Sequence, residues 1–170
     1  MMLYMKIKIF VFAMSCFTLT AFGQGGNSIE KRIDELVSQM TLQEKIGQMN
    51  QLTGMGLSKN MKESVKTGKV GTILNELNVE GVNELQRIAV EESRLHIPLI
   101  VARDVIHGFK TIFPIPLGQA ASWNPEVAEE GARVAAMEAS ATGIRWTFAP
   151  MIDVSRDPRW GRIAESCGED

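Results

Sequence analysis

Residues 98–102 read PLIVA, and the polar pair Arg103 and Asp104 follows them directly. A run that is apolar at nearly every position is typical of a parallel strand, because layers on both faces of the sheet cover its side chains. Residues 70–74, VGTIL, form a second run of this kind, and residues 146–154, WTFAPMIDV, begin as a third before running into a loop. The sequence therefore predicts three buried strands.

Helical patterns separate and precede these runs. Residues 82–95 carry apolar side chains at three- and four-residue spacing. A second pattern begins at an Asn-Pro cap, continues to about residue 142 and meets Gly143, a residue suited to ending a helix. Two short helices are expected earlier, after Asn27 and after Thr41, where capping residues precede apolar positions.

The predicted order is helix, helix, strand, helix, strand, helix, strand, loop, with a polar loop near Gly54 and Gly56 before the first strand. Alternation at this spacing predicts parallel βαβ units in an α/β fold. Periodicity alone leaves two architectures open, an open doubly wound sheet or the beginning of a (β/α)8 barrel.

The N-terminal residues have the pattern of a signal peptide. Lys6 and Lys8 precede an almost wholly apolar stretch at residues 9–22, which is shorter than the ~20 residues that a membrane-spanning helix needs. Small residues at the cleavage positions predict removal of residues 1–23. Export to the periplasm or the extracellular space is therefore expected without a stable membrane anchor, although an uncleaved anchor is the alternative.

Charge and cysteine content narrow the possible partners. Removing residues 1–23 takes away two of 18 basic residues and none of 20 acidic ones, which leaves a formal charge of −4. Such a chain lacks the basic surface expected of a nucleic-acid-binding or anionic-lipid-binding protein. Cys167 would be the only thiol left, so no internal disulfide is expected.

Polar residues gather after the second and third predicted strands, where parallel α/β folds place their sites. Carboxylates, guanidinium groups and an indole together suit a neutral, polyhydroxylated ligand, because they accept from hydroxyl groups, donate to ring oxygens and pack on a sugar face. The residues concerned are Arg103, Asp104, His107, Asp153, Arg156, Asp157, Arg159, Trp160, Arg162 and Glu165.

Purely structural roles are equally compatible with these residues. Asp104 and Arg162 would then form an ion pair that closes a strand end, His107 would be a structural histidine, and Trp160 would lie in the core. No phosphate-binding loop, zinc-protease motif, nucleophile elbow or paired C-x-x-C motif occurs in the sequence.

Three ordered motifs resemble glycoside hydrolase family 3, and in particular its exported bacterial β-glucosidases. They are VARDVIHG at residues 101–108, FPIPLG at 113–118 and APMIDVSRDPRWGR at 149–162. The resemblance extends from about Ile29 to Asp170. It implies an N-terminal (β/α)8 TIM-type barrel, of which residues 24–170 would be an incomplete part with about three strands, followed by a second α/β domain.

The resemblance also implies roles for individual residues. Asp104, in the D-x-x-H-G motif, and Arg162, in the W-G-R motif, would bind the sugar whose bond is cleaved, while His107 and Glu165 would support them. Retaining glycosidases use two carboxyl groups. In the family, the nucleophile and the acid/base come from later sequence, so no catalytic residue is expected within residues 1–170.

The implied activity is hydrolysis of β-linked glucosides or oligosaccharides from the non-reducing end by a retaining mechanism. No metal or organic cofactor is implied. Three alternatives stay open: β-xylosidase-type specificity, a non-catalytic sugar-binding remnant, and an unrelated exported α/β binding protein. Because an unclosed barrel exposes a sheet edge, residues 24–170 alone are expected to be poorly stable and prone to aggregation.

Overall fold

The computed structural model describes residues 25–54 and 56–169, so the predicted signal peptide at residues 1–23 lies outside the described part. The chain divides into two compact units at Thr41 and Leu42. In the first unit, helix α1 spans Gly25–Gln39, and Lys31 pairs with Glu35 one turn later across 3.9 Å. This agrees with the predicted first helix.

The second unit contains the remaining described elements. In chain order they are α2 (Leu42–Gln48), β1 (Gln51–Thr53), α3 (Lys59–Lys66), β2 (Thr72–Leu74), α4 (Val79–Arg87) with a π-helical turn (Ile88–Glu92), β3 (Ile100–Arg103), α5 (Pro116–Ala120), α6 (Pro125–Ala141), β4 (Trp146–Thr147), and two 3₁₀ turns (Pro158–Trp160 and Ile163–Glu165). None of these described helices, nor α1, combines the length and apolar character needed to cross a bilayer.

The four strands form one parallel sheet in the order β1-β2-β3-β4. Each strand lies beside its predecessor in the chain, as in a (β/α)8 barrel, whereas a doubly wound sheet reverses direction at a switch point. The sheet is not closed within the described residues. The predicted class, an α/β chain forming the first part of a TIM-type barrel, is therefore confirmed.

The predicted number of strands, about three, was too low. The missed strand is β1, at residues where a loop near Gly54 was expected. It has three residues, and only Leu52 is apolar and partly buried against the core. A strand so short and polar has no detectable alternation, and pairing with β2 rather than local preference stabilises it.

The helices cover one face of this sheet. Ile73 packs among side chains of α3 and α4, and Val101 packs among side chains of α4 and α6. The opposite face is covered unevenly: Ala102 is 0% exposed, whereas Ile100, two positions earlier in the same strand, is 48% exposed. Trp146, paired in register with Ala102, also lies on this opposite face and is 46% exposed. It makes an edge-to-face contact with Phe148, with the ring centroids 5.1 Å apart.

The fourth predicted helix ends as its sequence indicates. Asn124 accepts a hydrogen bond from the backbone N–H of Glu126 at the start of α6, and Thr142 caps its end. Gly143 follows with φ +91°, and a Cβ there would lie 2.7 Å from Cγ1 of Val82. Both the backbone conformation and the contact require glycine.

Candidate functional site

The carboxyl end of β3 presents Asp104 to solvent. Its Oδ1 accepts a hydrogen bond from the backbone N–H of Ile106 at 3.1 Å, which fixes the turn after the strand. The side chain is exposed, so its carboxylate can accept bonds from a ligand. This position, at the strand end of a parallel sheet, agrees with the predicted placement.

Arg162 is held by Glu165 through two bonds. Nε lies 3.0 Å from Oε1, and Nη2 lies 2.5 Å from Oε2. The Arg162 guanidinium lowers the pKa of Glu165 below its ordinary value, and Glu165 in turn raises the pKa of Arg162. Two-point pairing of this kind orients the planar guanidinium.

Asp104 and Arg162 lie close enough for their charges to interact. After Glu165, the carboxylates of Asp153 and Asp104 also raise the pKa of Arg162 by Coulombic attraction. In the described part of the chain, Arg162 forms its ion pair with Glu165 and not with Asp104. The alternative of an Asp104–Arg162 pair closing the strand end is therefore wrong, and both side chains are exposed.

His107 lies in the loop after β3 and is half-buried. Its backbone carbonyl accepts a bond from the N–H of Phe113 at 2.8 Å, while its ring Nδ1 is buried without a hydrogen-bond partner among the described residues. The ring lines a mainly apolar cleft of about 400 Å³ between α6 and residues 147–151. This is not the satisfied structural histidine of the alternative interpretation.

The segment after β4 folds into the two 3₁₀ turns. Asp157 accepts a bond from the backbone N–H of Arg159 at 2.9 Å, so it caps the first turn, as expected of a structural aspartate. Bonds from Arg159 also lower the pKa of Asp157. Trp160 is 43% exposed and lies outside the core, which contradicts the core alternative.

Two polar residues at the end of β2 were not among the predicted site residues. Asn75, at φ +66°, accepts a bond at Oδ1 from Nη1 of Arg103 at 2.6 Å, which links the ends of β2 and β3. Glu76 is 4% exposed and accepts bonds from the backbone N–H groups of Gly56 and Asn78, each at 3.2 Å. The strand-end rule that selected Asp104 also applies to these two positions.

The described residues do not form a metal-ligand cluster. Over residues 25–54 and 56–169, no group of three or more histidine, cysteine or acidic side chains has the arrangement to hold a metal ion. The exposed side chains of Asp104 and Arg162 are a hydrogen-bond acceptor and a donor, which suit a polar organic ligand.

Comparison with known proteins identifies similar sequences and folds. Residues 41–170 match the model of the glycosyl hydrolase family 3 N terminal domain. The chain is 44% identical over 140 residues to a periplasmic beta-glucosidase of Salmonella typhimurium, covering 81% of this chain and 18% of the relative. It is 30% identical over 170 residues to a periplasmic beta-glucosidase/beta-xylosidase of Dickeya chrysanthemi, covering 82% and 26%.

A solved structure has the same fold. The beta-glucosidase of Listeria innocua in complex with isofagomine superposes with a TM-score of 0.71 at 42% identity, covering 82% of this chain and 20% of that one. The chain thus spans about a fifth of the length of the first two proteins compared, in Salmonella and Listeria. On the family match and these identities, the chain belongs to glycosyl hydrolase family 3, through the N-terminal domain of that family.

Proposed function

We propose that this chain supplies sugar-binding residues of a β-glucosidase-type hydrolase that removes β-linked glucose units from the non-reducing end of glucosides. The observation that carries the proposal is a pair of exposed, oppositely charged side chains whose charges interact, Asp104 after the carboxyl end of β3 and Arg162, in a chain of this family. Relatives named as beta-glucosidases support the same activity.

In this proposal each group has a separate task. The Asp104 carboxylate accepts bonds from sugar hydroxyl groups, and the Arg162 guanidinium donates to a sugar oxygen while Glu165 holds its plane. His107 supports the strand end from its half-buried position. These contacts orient the sugar ring for attack at its anomeric carbon.

Bond cleavage would use two carboxyl groups about 5 Å apart, one as nucleophile and one as acid/base, with net retention of configuration. We assign neither role to a residue of this chain. Asp157 is occupied in capping a turn, which supports excluding it as the nucleophile. The reacting carboxylates would come from other parts of the complete protein.

We also propose export to the periplasm or beyond. The apolar stretch at residues 9–22 and the periplasmic relative in Salmonella support it. Cell fractionation tests it: the mature protein should begin at Gln24 and leave the cytoplasm. A full-length cytoplasmic product that retains Lys6 would contradict export.

The activity is tested with the complete gene product on 4-nitrophenyl β-glucoside and β-xyloside. We expect faster turnover of the glucoside, with the β-anomer of glucose released first in a proton NMR time course. The dual name of the Dickeya relative makes β-xyloside preference the second candidate. Binding of glucose without turnover of any aryl glycoside would instead support a non-catalytic sugar-binding protein.

A further inference from the structure

The segment after Asp104 folds back on itself in a tight loop, residues 105–113. The N–H of Gly108 donates to the carbonyl of Val105 at 3.0 Å, and the N–H of Phe113 donates to the carbonyl of His107 at 2.8 Å. Gly108 has φ +113°, and a Cβ there would lie 2.0 Å from the carbonyl oxygen of Thr111. The turn of the loop therefore requires glycine at position 108.

One carboxylate from α6 holds the tip of this loop. Oε2 of Glu138 accepts bonds from the backbone N–H groups of Lys110 and Thr111, each at 2.8 Å. Its Oε1 accepts a bond from the hydroxyl of Thr111 at 2.6 Å. Thus a side chain 27 residues away in sequence satisfies three donors of the loop.

Helix α6 is itself fixed against β3. Ala135 and Ala139 share a core cluster with Val101 and Val105, which flank the end of that strand. Gly131 lies against the ring of Phe113, because a Cβ there would be 3.6 Å from its Cγ. Helix α6 thus contacts both the end of β3 and the loop tip. Asp104 and His107 lie in the chain between these two points of contact.

We propose that Glu138 is a positioning residue for the sugar site: by holding the loop tip, it sets the orientation of Asp104 and His107 at the end of β3. This inference rests on the proposed function. A carboxylate suits the task because it accepts all three bonds with a charged group, whereas an amide in its place accepts the two backbone bonds as a neutral group and turns its NH2 toward the Thr111 hydroxyl, which must then accept instead of donate.

The test uses the complete protein and 4-nitrophenyl β-glucoside. Glu138→Gln should lower kcat/KM about tenfold, mainly through a higher KM, since the bonds from the loop lose their charged acceptor and the Thr111 hydroxyl must reverse its bond. Thr111→Val, which keeps both backbone bonds, should lower kcat/KM by about two- to threefold. Glu129→Gln, an exposed change on the same helix, is the matched control and should behave as wild type.

A double-mutant cycle separates positioning from general stability. If Glu138 acts through Asp104, adding Glu138→Gln to Asp104→Asn should change kcat/KM less than twofold, because the placement of a missing carboxylate no longer matters. Fully additive losses, or a lower melting temperature with wild-type kinetics, would overturn the inference. If Glu138→Gln does not fold, the same cycle with Thr111→Val decides.

The outcome for wild type distinguishes the two proposals. Wild-type turnover combined with identical kinetics for Glu138→Gln and Glu129→Gln overturns the positioning role alone. Absence of turnover in wild type overturns the proposed function, and the positioning role with it.

Discussion

Arg162 and Glu165 are joined by two parallel bonds, from Nε to Oε1 at 3.0 Å and from Nη2 to Oε2 at 2.5 Å. The pair orients a guanidinium that also lies in the field of Asp104 and Asp153. Glu165 is therefore placed to orient Arg162, and the supporting role that the family resemblance implies for it stays a prediction.

Glu165→Gln should raise the KM for an aryl β-glucoside about three- to tenfold with a smaller effect on kcat, because Arg162 keeps its charge but loses its fixed plane. Steady-state kinetics of the complete protein measure this. Glu130→Gln is the control, since Glu130 and Arg133 form the same kind of pair on exposed α6. Equal effects of the two changes would show that the Arg162 pair has no special role.

Gly143→Ala should destabilise the protein more than Gly56→Ala. Both glycines have positive φ, +91° and +94°, but a Cβ at 143 lies 2.7 Å from Val82, whereas a Cβ at 56 has nothing within 4 Å. Backbone strain of about 1–2 kcal/mol is common to both. The added clash should cost about 1–3 kcal/mol more at 143.

Melting temperatures of the two variants measure this difference. Val82→Ala should partly rescue Gly143→Ala by removing the clashing methyl groups. Equal losses at the two glycines, or no rescue, would show that close packing at Gly143 is not the cause.

Acid should weaken the link between α3 and α4. Hydrogen bonds from Arg87 and then Lys62, with distances of 2.9 Å each, lower the pKa of Glu84 from 4.5 to about 2. Because the folded-state pKa lies below the unfolded one, this stabilisation is present above about pH 4.5 and is lost as the pH falls toward 2.

Glu84→Gln should therefore lower the melting temperature near neutral pH, and its difference from wild type should shrink as the pH falls from 4.5 toward 2. Glu63→Gln, an exposed change in the middle of α3, should match wild type throughout. A gap that stays constant with pH would contradict this account. Added salt should also reduce the gap, because the pair is partly exposed.

Residues 24–170 expressed alone should associate and bind hydrophobic dyes. Three large apolar side chains are exposed on or beside the sheet face opposite the helices: Ile100 (48%), Trp146 (46%) and Phe148 (40%). Exposed apolar surface of this kind favours association. Size-exclusion chromatography of the wild-type segment and of Trp146→Lys checks this; a wild-type monomer that unfolds cooperatively would contradict the expectation.

Much of the fold follows from local pattern. The apolar runs at residues 70–74 and 98–102 contain most of β2 and β3, because strands covered by helices must be apolar. The sequence did not predict helix α3 or strand β1. Only Met61 and Val65 of α3 are apolar, and this is too few to give a helical pattern.

The candidate site was predictable only in part. Asp104 and His107 directly follow a recognisable strand, so the strand-end rule applies to them. The proximity of Arg162 to Asp104 depends on the path of the segment after β4, which spacing does not determine. Likewise, the contact between Glu138 and Thr111 joins a helix and a loop 27 positions apart, and neither residue has a motif that signals the partner.

We propose that Asp104 and Arg162 together bind the sugar whose bond is cleaved. The most direct measurement is kcat/KM of the complete protein on 4-nitrophenyl β-glucoside for wild type, Asp104→Asn, Arg162→Ala and the exposed control Asp34→Asn. We expect losses of about 100-fold or more for the two site variants, since each removes a hydrogen-bond partner of the sugar, and no loss for the control. Wild-type kcat/KM in Asp104→Asn would contradict it.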